Sequence, residues 1–224
     1  MSTHWLDSIV FDLDGTILHS LPGIEYSIRE AFAVTRRPFR DGDLRELIGP
    51  PISTILSMVG NVKDERTLKL LEDAFRTSYD DGGWRKTELF PDTKVVLEAL
   101  RREDFRLFIV TNKPKKISMR IMEYLGISDL FEAILTRDSR APRYSGKEEM
   151  LRTLAEQHGI DLQGSLMVGD TMEDAKASTA VGMPFAFTAQ GYGKIDHDVA
   201  VPIVLRLDCL GQLLPLLVKE LVHD

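Results

Sequence analysis

Two carboxylates separated by one residue follow an apolar tripeptide, where Ile9-Val10-Phe11 runs into Asp12-Leu13-Asp14-Gly15-Thr16. An apolar run of that length is consistent with a buried strand. In open α/β sheets, ligands bind beyond the carboxyl ends of the strands, which is where Asp12 and Asp14 would emerge together. Gly15 would let the backbone turn sharply behind them. Taken alone, an Asp- and Gly-rich segment is equally a polar turn. Its meaning depends on what the rest of the chain brings to the same place.

Three further segments have the right chemistry. Residues 107–110 form an apolar run that ends in Thr111-Asn112, a hydroxyl and an amide able to hydrogen-bond a phosphate oxygen. The same pair is suited to a helix start, with Asn112 as cap and Pro114 in the first turn. Lys147 follows Gly146 and opens a helical pattern carrying Met150, Leu151 and Leu154. A cation at that end opposes the helix dipole, which points to another purpose for it. Finally, Leu166-Met167-Val168 leads into Gly169-Asp170-Thr171-Met172-Glu173-Asp174. Asp170 and Asp174 could reach one hard cation through oxygen. Thr171 and Asp174 also have capping-box spacing, so Asp174 has two possible duties.

The elements that must position these residues alternate. Short apolar runs at 8–11, 107–110, 133–135, 166–168 and 184–187 are expected as buried strands, with 203–205 as an edge strand. Helical patterns lie between most of them, and one is expected over 205–222 with Leu210, Leu213, Leu214, Leu217 and Leu221 on one face. Strands alternating with helices predict an α/β fold, a Rossmann-like parallel sheet covered on both faces. One interval departs from this. Between the first and second strands the apolar spacing is helical throughout, punctuated by Pro38, Gly49-Pro50-Pro51, Gly60-Asn61 and Gly82-Gly83. An all-helical insertion over 18–89 is expected, with 1–17 and 90–224 forming a discontinuous core.

The order Asp-x-Asp-Gly-Thr, strand-end Thr, Lys, Gly-Asp-x-x-x-Asp resembles the haloacid dehalogenase superfamily over nearly the whole chain, and the helical insertion is similar to that family's cap. Ile48-Gly49-Pro50-Pro51, Phe90-Pro91-Asp92, Thr111-Asn112-Lys113 and Gly191-Tyr192-Gly193 look like its phosphoglycolate phosphatase branch. The resemblance implies that Asp12 is a nucleophile and Asp14 a general acid and base. It implies that Thr111, Asn112 and Lys147 bind the phosphoryl group. Asp170 would ligate Mg2+ with Asp12 and the Asp14 carbonyl, and Asp174 would support it. Many relatives carry Lys-Pro where Gly146-Lys147-Glu148-Glu149 stands here, so Arg140 and Arg143 compete with Lys147, which is preferred because it begins a helix. Arg45 and Glu46 are candidates for substrate-reading cap residues, or are solvated charges.

The chemistry makes a cation necessary. Two like charges about 4 Å apart repel by about 4 kcal/mol at an effective dielectric of about 20. Four carboxylates and a dianionic phosphate would add several such terms, and a divalent cation between them removes the conflict. The implied enzyme is a hydrolase acting on a small phosphorylated metabolite through an aspartyl-phosphate. The alternatives are a β-phosphoglucomutase-like sugar phosphomutase, a phosphonate hydrolase, and a phosphate-binding regulatory module without catalysis.

Composition narrows the partners. The 224 residues carry a net charge of −7, which argues against a nucleic-acid surface. No run approaches about 18 uninterrupted apolar residues, and no basic segment precedes an apolar one near Met1, so neither a membrane span nor a signal peptide is expected. Cys209 is the one cysteine, which excludes an intramolecular disulfide and fits a reducing compartment, so a cytoplasmic location is expected. A monomer or homodimer is equally compatible with the sequence.

Overall fold

The computed structural model describes residues 6–39, 42, 44–48, 51–194 and 201–218. The chain divides into two compact units, Met1–Leu18 with Leu89–Asp224, and His19–Glu88.

The first unit is built on a six-stranded sheet. Its strands are β1 (Ser8–Phe11), β4 (Arg106–Thr111), β5 (Ala133–Thr136), β6 (Ser165–Gly169), β7 (Phe185–Thr188) and β8 (Leu205–Leu207), while β2 (Leu18–His19) and β3 (Glu88–Leu89) pair separately where the chain passes between the units. The sheet order is β5-β4-β1-β6-β7-β8, and every pairing is parallel. All residues of β1, β6 and β7 are buried, as a parallel sheet covered on both faces requires. Register aligns Phe11 with Ile109 on one side and Val168 on the other. Asp12 and Asp170 therefore emerge from the carboxyl ends of adjacent strands. The strand order reverses direction at β1, and that switch point is where an open α/β sheet has its crevice.

The helices of this unit are α4 (Thr93–Arg102), α5 (Lys115–Tyr124), α6 (Lys147–His158), α7 (Met172–Val181) and α8 (Leu213–Val218). One face of the sheet contributes Val10, Phe108 and Met167 to a core completed by Met150, Leu151 and Leu154 of α6. The residues one step along, such as Ile9, Leu107 and Leu166, are equally buried and fill the other face. Left-handed Gly159 and Gly182 end α6 and α7, the usual glycine stop.

The second unit is helical, with α1 (Leu21–Val34), α2 (Ile52–Gly60) and α3 (Glu65–Asp81). Each presents one apolar stripe inward: Ile28 and Phe32, Leu56 and Val59, Leu71 and Phe75. Asp64 caps α3 by accepting a hydrogen bond from the Thr67 N–H at 2.8 Å.

Two expectations need correction. The long helix expected over 205–222 is instead strand β8, a short 3-10 turn at Leu210–Gln212 and the six residues of α8. Leu205 and Leu207 align with Ala186 and Thr188 of β7, so closing the sheet edge takes precedence over the leucine periodicity. Cys209 is extended and separates the two elements, and Leu221 lies outside the described residues. The edge strand accordingly starts two residues later than the sequence placed it. The expected cap at Asn112 is also absent. Pro114 occupies the N-cap of α5, and the Lys115 N–H donates to Asp138 Oδ1 at 2.9 Å. Among the described residues, no helix is long and apolar enough to cross a membrane.

Phe108 is fully buried in the core beneath α6. Phe108→Ala is expected to lower unfolding free energy by about 3–5 kcal/mol, seen as a lower urea midpoint at unchanged denaturant slope.

Candidate functional site

The sequence places Asp12 immediately after β1, and the fold buries it there. Its backbone N–H donates to the Val168 carbonyl at 3.0 Å, which continues the β1–β6 ladder one residue beyond the strand. At Asp14 the chain turns: the Gly15 N–H donates to the Leu18 carbonyl at 2.9 Å, and Gly15 has φ +86°. That conformation favours glycine. A Cβ at Gly15 would also strike the Asp170 carboxylate, so the position needs the absence of a side chain twice over.

Lys147 is the first residue of α6 and is buried. Its ammonium lies 2.8 Å from Asp12 Oδ1 and 2.5 Å from Asp174 Oδ1. Arg140 pairs instead with Glu149 and lies over the Tyr144 ring, and Arg143 is exposed. Of the three cations left open by the sequence, Lys147 is the one beside the carboxylates. Two anions overcome the unfavourable helix dipole at its position.

Asp174 caps α7, as its spacing allowed, and also pairs with Lys147. Its Oδ2 accepts hydrogen bonds from the Thr171 N–H at 3.0 Å and from the Thr171 hydroxyl at 2.6 Å. The Thr171 hydroxyl oxygen in turn accepts from the Asp174 N–H, completing a capping box for α7. Its Oδ1 is the one facing Lys147. One carboxylate thus starts a helix with one oxygen and holds the lysine with the other.

Asp170 is held by backbone. Its Oδ2 accepts from the Tyr192 and Gly193 N–H groups at 2.8 and 3.1 Å, and its Oδ1 from the Thr16 hydroxyl at 3.3 Å. A Cβ at Gly191 would collide with the Asp170 side chain, and one at Gly193 with its carbonyl. The sequence motifs contained Thr16, Tyr192 and Gly193, but no spacing rule assigned them this task. A Gly-x-Gly just beyond β7 was the available signal.

Asp12, Asp170 and Asp174 each offer an oxygen within 4.8 Å of the others. The donor set is all hard oxygen, as magnesium or calcium requires. All three carboxylates also have partners within the protein, Asp12 and Asp174 at Lys147 and Asp170 at Thr16, Tyr192 and Gly193. The Asp12 carboxyl is raised to about 8, chiefly by burial, with Lys147 opposing the rise and Asp174 and Asp170 adding to it. Burial likewise raises Asp170 to about 6, with Asp174 adding to it. Burial would lower the Lys147 ammonium, but Asp12 and Asp174 outweigh it and hold it above its ordinary value. This concentration of anionic groups is the electrostatic condition for binding a divalent cation.

Thr111 ends β4 buried, its hydroxyl oxygen accepting the Lys113 N–H at 3.2 Å. Asn112 is turned elsewhere: its amide donates to Glu173 at 2.9 Å, and its Oδ1 is buried without a hydrogen-bond partner. Lys113, given no role in the sequence analysis, donates to both oxygens of Asp14 at 3.0 and 3.1 Å. Arg45 is exposed in a 3-10 turn of the helical unit, Leu44–Leu47. The Glu46 side chain, Gly49 and Pro50 lie outside the described residues.

Removing the lysine would leave Asp12 and Asp174 buried without their cation. Lys147→Met is expected to cost about 3–5 kcal/mol of stability at neutral pH. The measurement is the urea unfolding midpoint of the variant against wild type at one pH.

Comparison with known proteins shows the family. The family model for haloacid dehalogenase-like hydrolases matches residues 9–188. A phosphoglycolate phosphatase from Cereibacter sphaeroides is 30% identical over 217 residues, covering 90% of this chain and 98% of that protein. The crystal structure of a predicted phosphoglycolate phosphatase from Haemophilus somnus superposes with a TM-score of 0.84 at 25% identity, covering 96% and 99% of the two chains. The solved structure of protein tyrosine kinase A from Mycobacterium tuberculosis superposes with a TM-score of 0.81 at 27% identity, covering 95% and 98% of the two chains. By the extent of the family match and by these relatives, the chain belongs to the haloacid dehalogenase-like hydrolases.

Proposed function

We propose that this chain is a magnesium-dependent phosphatase acting on a small organic phosphate monoester, phosphoglycolate or a compound like it, through an aspartyl-phosphate. The observation that carries the reading is the meeting of Asp12, Lys147, Asp170 and Asp174 beyond the ends of β1 and β6. A likeness to phosphoglycolate phosphatases along almost the whole chain supports the substrate class.

In this reading an Asp12 carboxylate oxygen attacks phosphorus in line with the ester oxygen, and the ester P–O bond breaks. Asp14 gives its proton to the departing oxygen. It then takes a proton from the water that attacks the aspartyl-phosphate, releasing inorganic phosphate and restoring Asp12. The Thr111 hydroxyl and the Lys147 ammonium hold phosphoryl oxygens, and the Asn112 amide reaches one by giving up Glu173. Magnesium would be held by Asp12, Asp170 and the Asp14 carbonyl, with Asp174 in support, and would neutralise the charge shared by the carboxylates and the phosphoryl group.

The test is phosphate release from a panel of esters, with magnesium or with EDTA. Phosphoglycolate, sugar phosphates, nucleotides, pyrophosphate and an aryl phosphate make up the panel. Magnesium-dependent release is expected, with Asp12→Asn slower by about three orders of magnitude or more. Release equal in EDTA, or undiminished in Asp12→Asn, would reject the mechanism. No release from any ester would reject the phosphatase.

The raised carboxyls make a second prediction. Asp12 and Asp170 ionise near 3.8 when unfolded but near 8 and 6 when folded. As pH rises between those limits the unfolded chain loses protons that the folded chain retains, so the metal-free fold is destabilised by these two groups. Lys147, raised above 10.5, contributes a constant amount over that window. In EDTA their contribution is therefore a fall in melting temperature from about pH 5 to about pH 8. Magnesium should raise the midpoint more at pH 8 than at pH 5, because the ligands must be deprotonated to bind. A magnesium effect that is equal at both pH values would contradict this.

A further inference from the structure

Asp14 is not left to find its own orientation. It sits on a turn with 23% of its side chain exposed, and rotation about its side-chain bonds could take it away from the reacting atoms. Lys113 opposes that rotation by donating to both carboxylate oxygens, at 3.0 and 3.1 Å. Lys113 is itself constrained. Its side chain is 5% exposed, and its backbone N–H is bound by the Thr111 hydroxyl at the end of β4. The Lys113 carbonyl accepts from Ser118 Oγ in α5 at 3.4 Å. A continuous path therefore runs from the rigid central sheet, through the Lys113 backbone and ammonium, to the Asp14 carboxylate.

We propose that Lys113 is a positioning residue for Asp14: it aims the carboxyl at the leaving oxygen and stays paired with it while the proton is given up. The inference rests on the proposed role of Asp14 as general acid. An ammonium carries three hydrogens on a freely turning end, so it can give up one Asp14 oxygen to the leaving group and keep hold of the other. In the step itself the ester P–O bond breaks, the proton on Asp14 passes to the departing oxygen, and the negative charge left on Asp14 faces an ammonium already in place. Lys113 makes no bond to phosphorus and provides no proton.

Leaving groups of different acidity separate positioning from general damage. An aryl oxide departs without a proton, whereas an alkoxide needs one in the same step. The measurement is kcat/KM for p-nitrophenyl phosphate and for 2-phosphoglycolate, with magnesium, in wild type and Lys113→Met. The alkyl ester is expected to lose at least about tenfold more than the aryl ester, part of the roughly 10²–10⁴-fold a general acid contributes. Lys113→Arg, which keeps the charge, should recover part of that excess. In an Asp14→Asn background the excess should vanish, because Lys113 then has no acid to aim. Should Lys113→Met fail to fold, Lys113→Gln takes its place, since it keeps a donor and loses the charge, and the same excess is expected. Equal loss on both esters, no loss on either, or an excess that persists without Asp14 would each overturn the proposal. A wild-type chain that hydrolyses neither ester would remove the phosphatase reading itself, whatever Lys113 does.

Discussion

The site depends on one buried ammonium. Lys147 lies between Asp12 and Asp174, and without it two carboxylates would face each other in a place water does not reach. Desolvating three charges is costly, and attraction at short range offsets that cost only when the geometry is well defined. Here the geometry is defined by three elements. β1 delivers Asp12, the first residue of α6 delivers Lys147, and the first turn of α7 delivers Asp174. Methionine and leucine side chains fasten α6 to the sheet, so core packing sets the position of the charge.

A second constraint is steric. Asp170 is surrounded by backbone on three sides, at Gly15, Gly191 and Gly193, each too close to admit a Cβ. The short distances that let amide hydrogens reach the Asp170 carboxylate are the same ones that exclude side chains. Gly169 stands in the same relation to Asp174. The acidic cluster is thus packed as tightly as a hydrophobic core, with glycine providing the space that small apolar residues would provide elsewhere.

Much of this was legible beforehand, and the divide follows range of interaction. Ile9-Val10-Phe11 and Leu166-Met167-Val168 announced themselves by composition, because strands buried on both faces must be apolar throughout. Asp12 and Asp170 followed from where such strands end. The helices of the second unit were visible in apolar periodicity alone. What local pattern could not show was pairing across long separations. That Asn112 would turn to Glu173, that Lys113 would turn to Asp14, and that the Tyr192 and Gly193 amides would bind Asp170 are facts of three-dimensional proximity. The tail was misjudged for a related reason. Leu205 and Leu207 fit a helical stripe as well as an edge strand, and only the open edge of β7 decides between them. Asp174 was left between capping and metal support; the fold gives one of its oxygens to the cap and the other to Lys147, a partner that no local pattern indicated.

The strand order has a consequence for the time course of synthesis. β1 is made before the other strands of the sheet, yet it lies in the sheet's interior, and its partners arrive late: Ser8 pairs with Arg106 on one side and with Ser165 on the other. A growing chain must therefore carry an apolar, unpaired β1 past the whole of His19–Glu88, a contiguous unit able to complete its own contacts in the meantime. At about 5–20 residues per second, the central strand waits several seconds or more for its second neighbour. Until then Asp12 has neither Lys147 nor Asp174 beside it. The segment that begins the active site is thus also the one a nascent chain has most need to shield, and competence for chemistry and completion of the sheet arrive together.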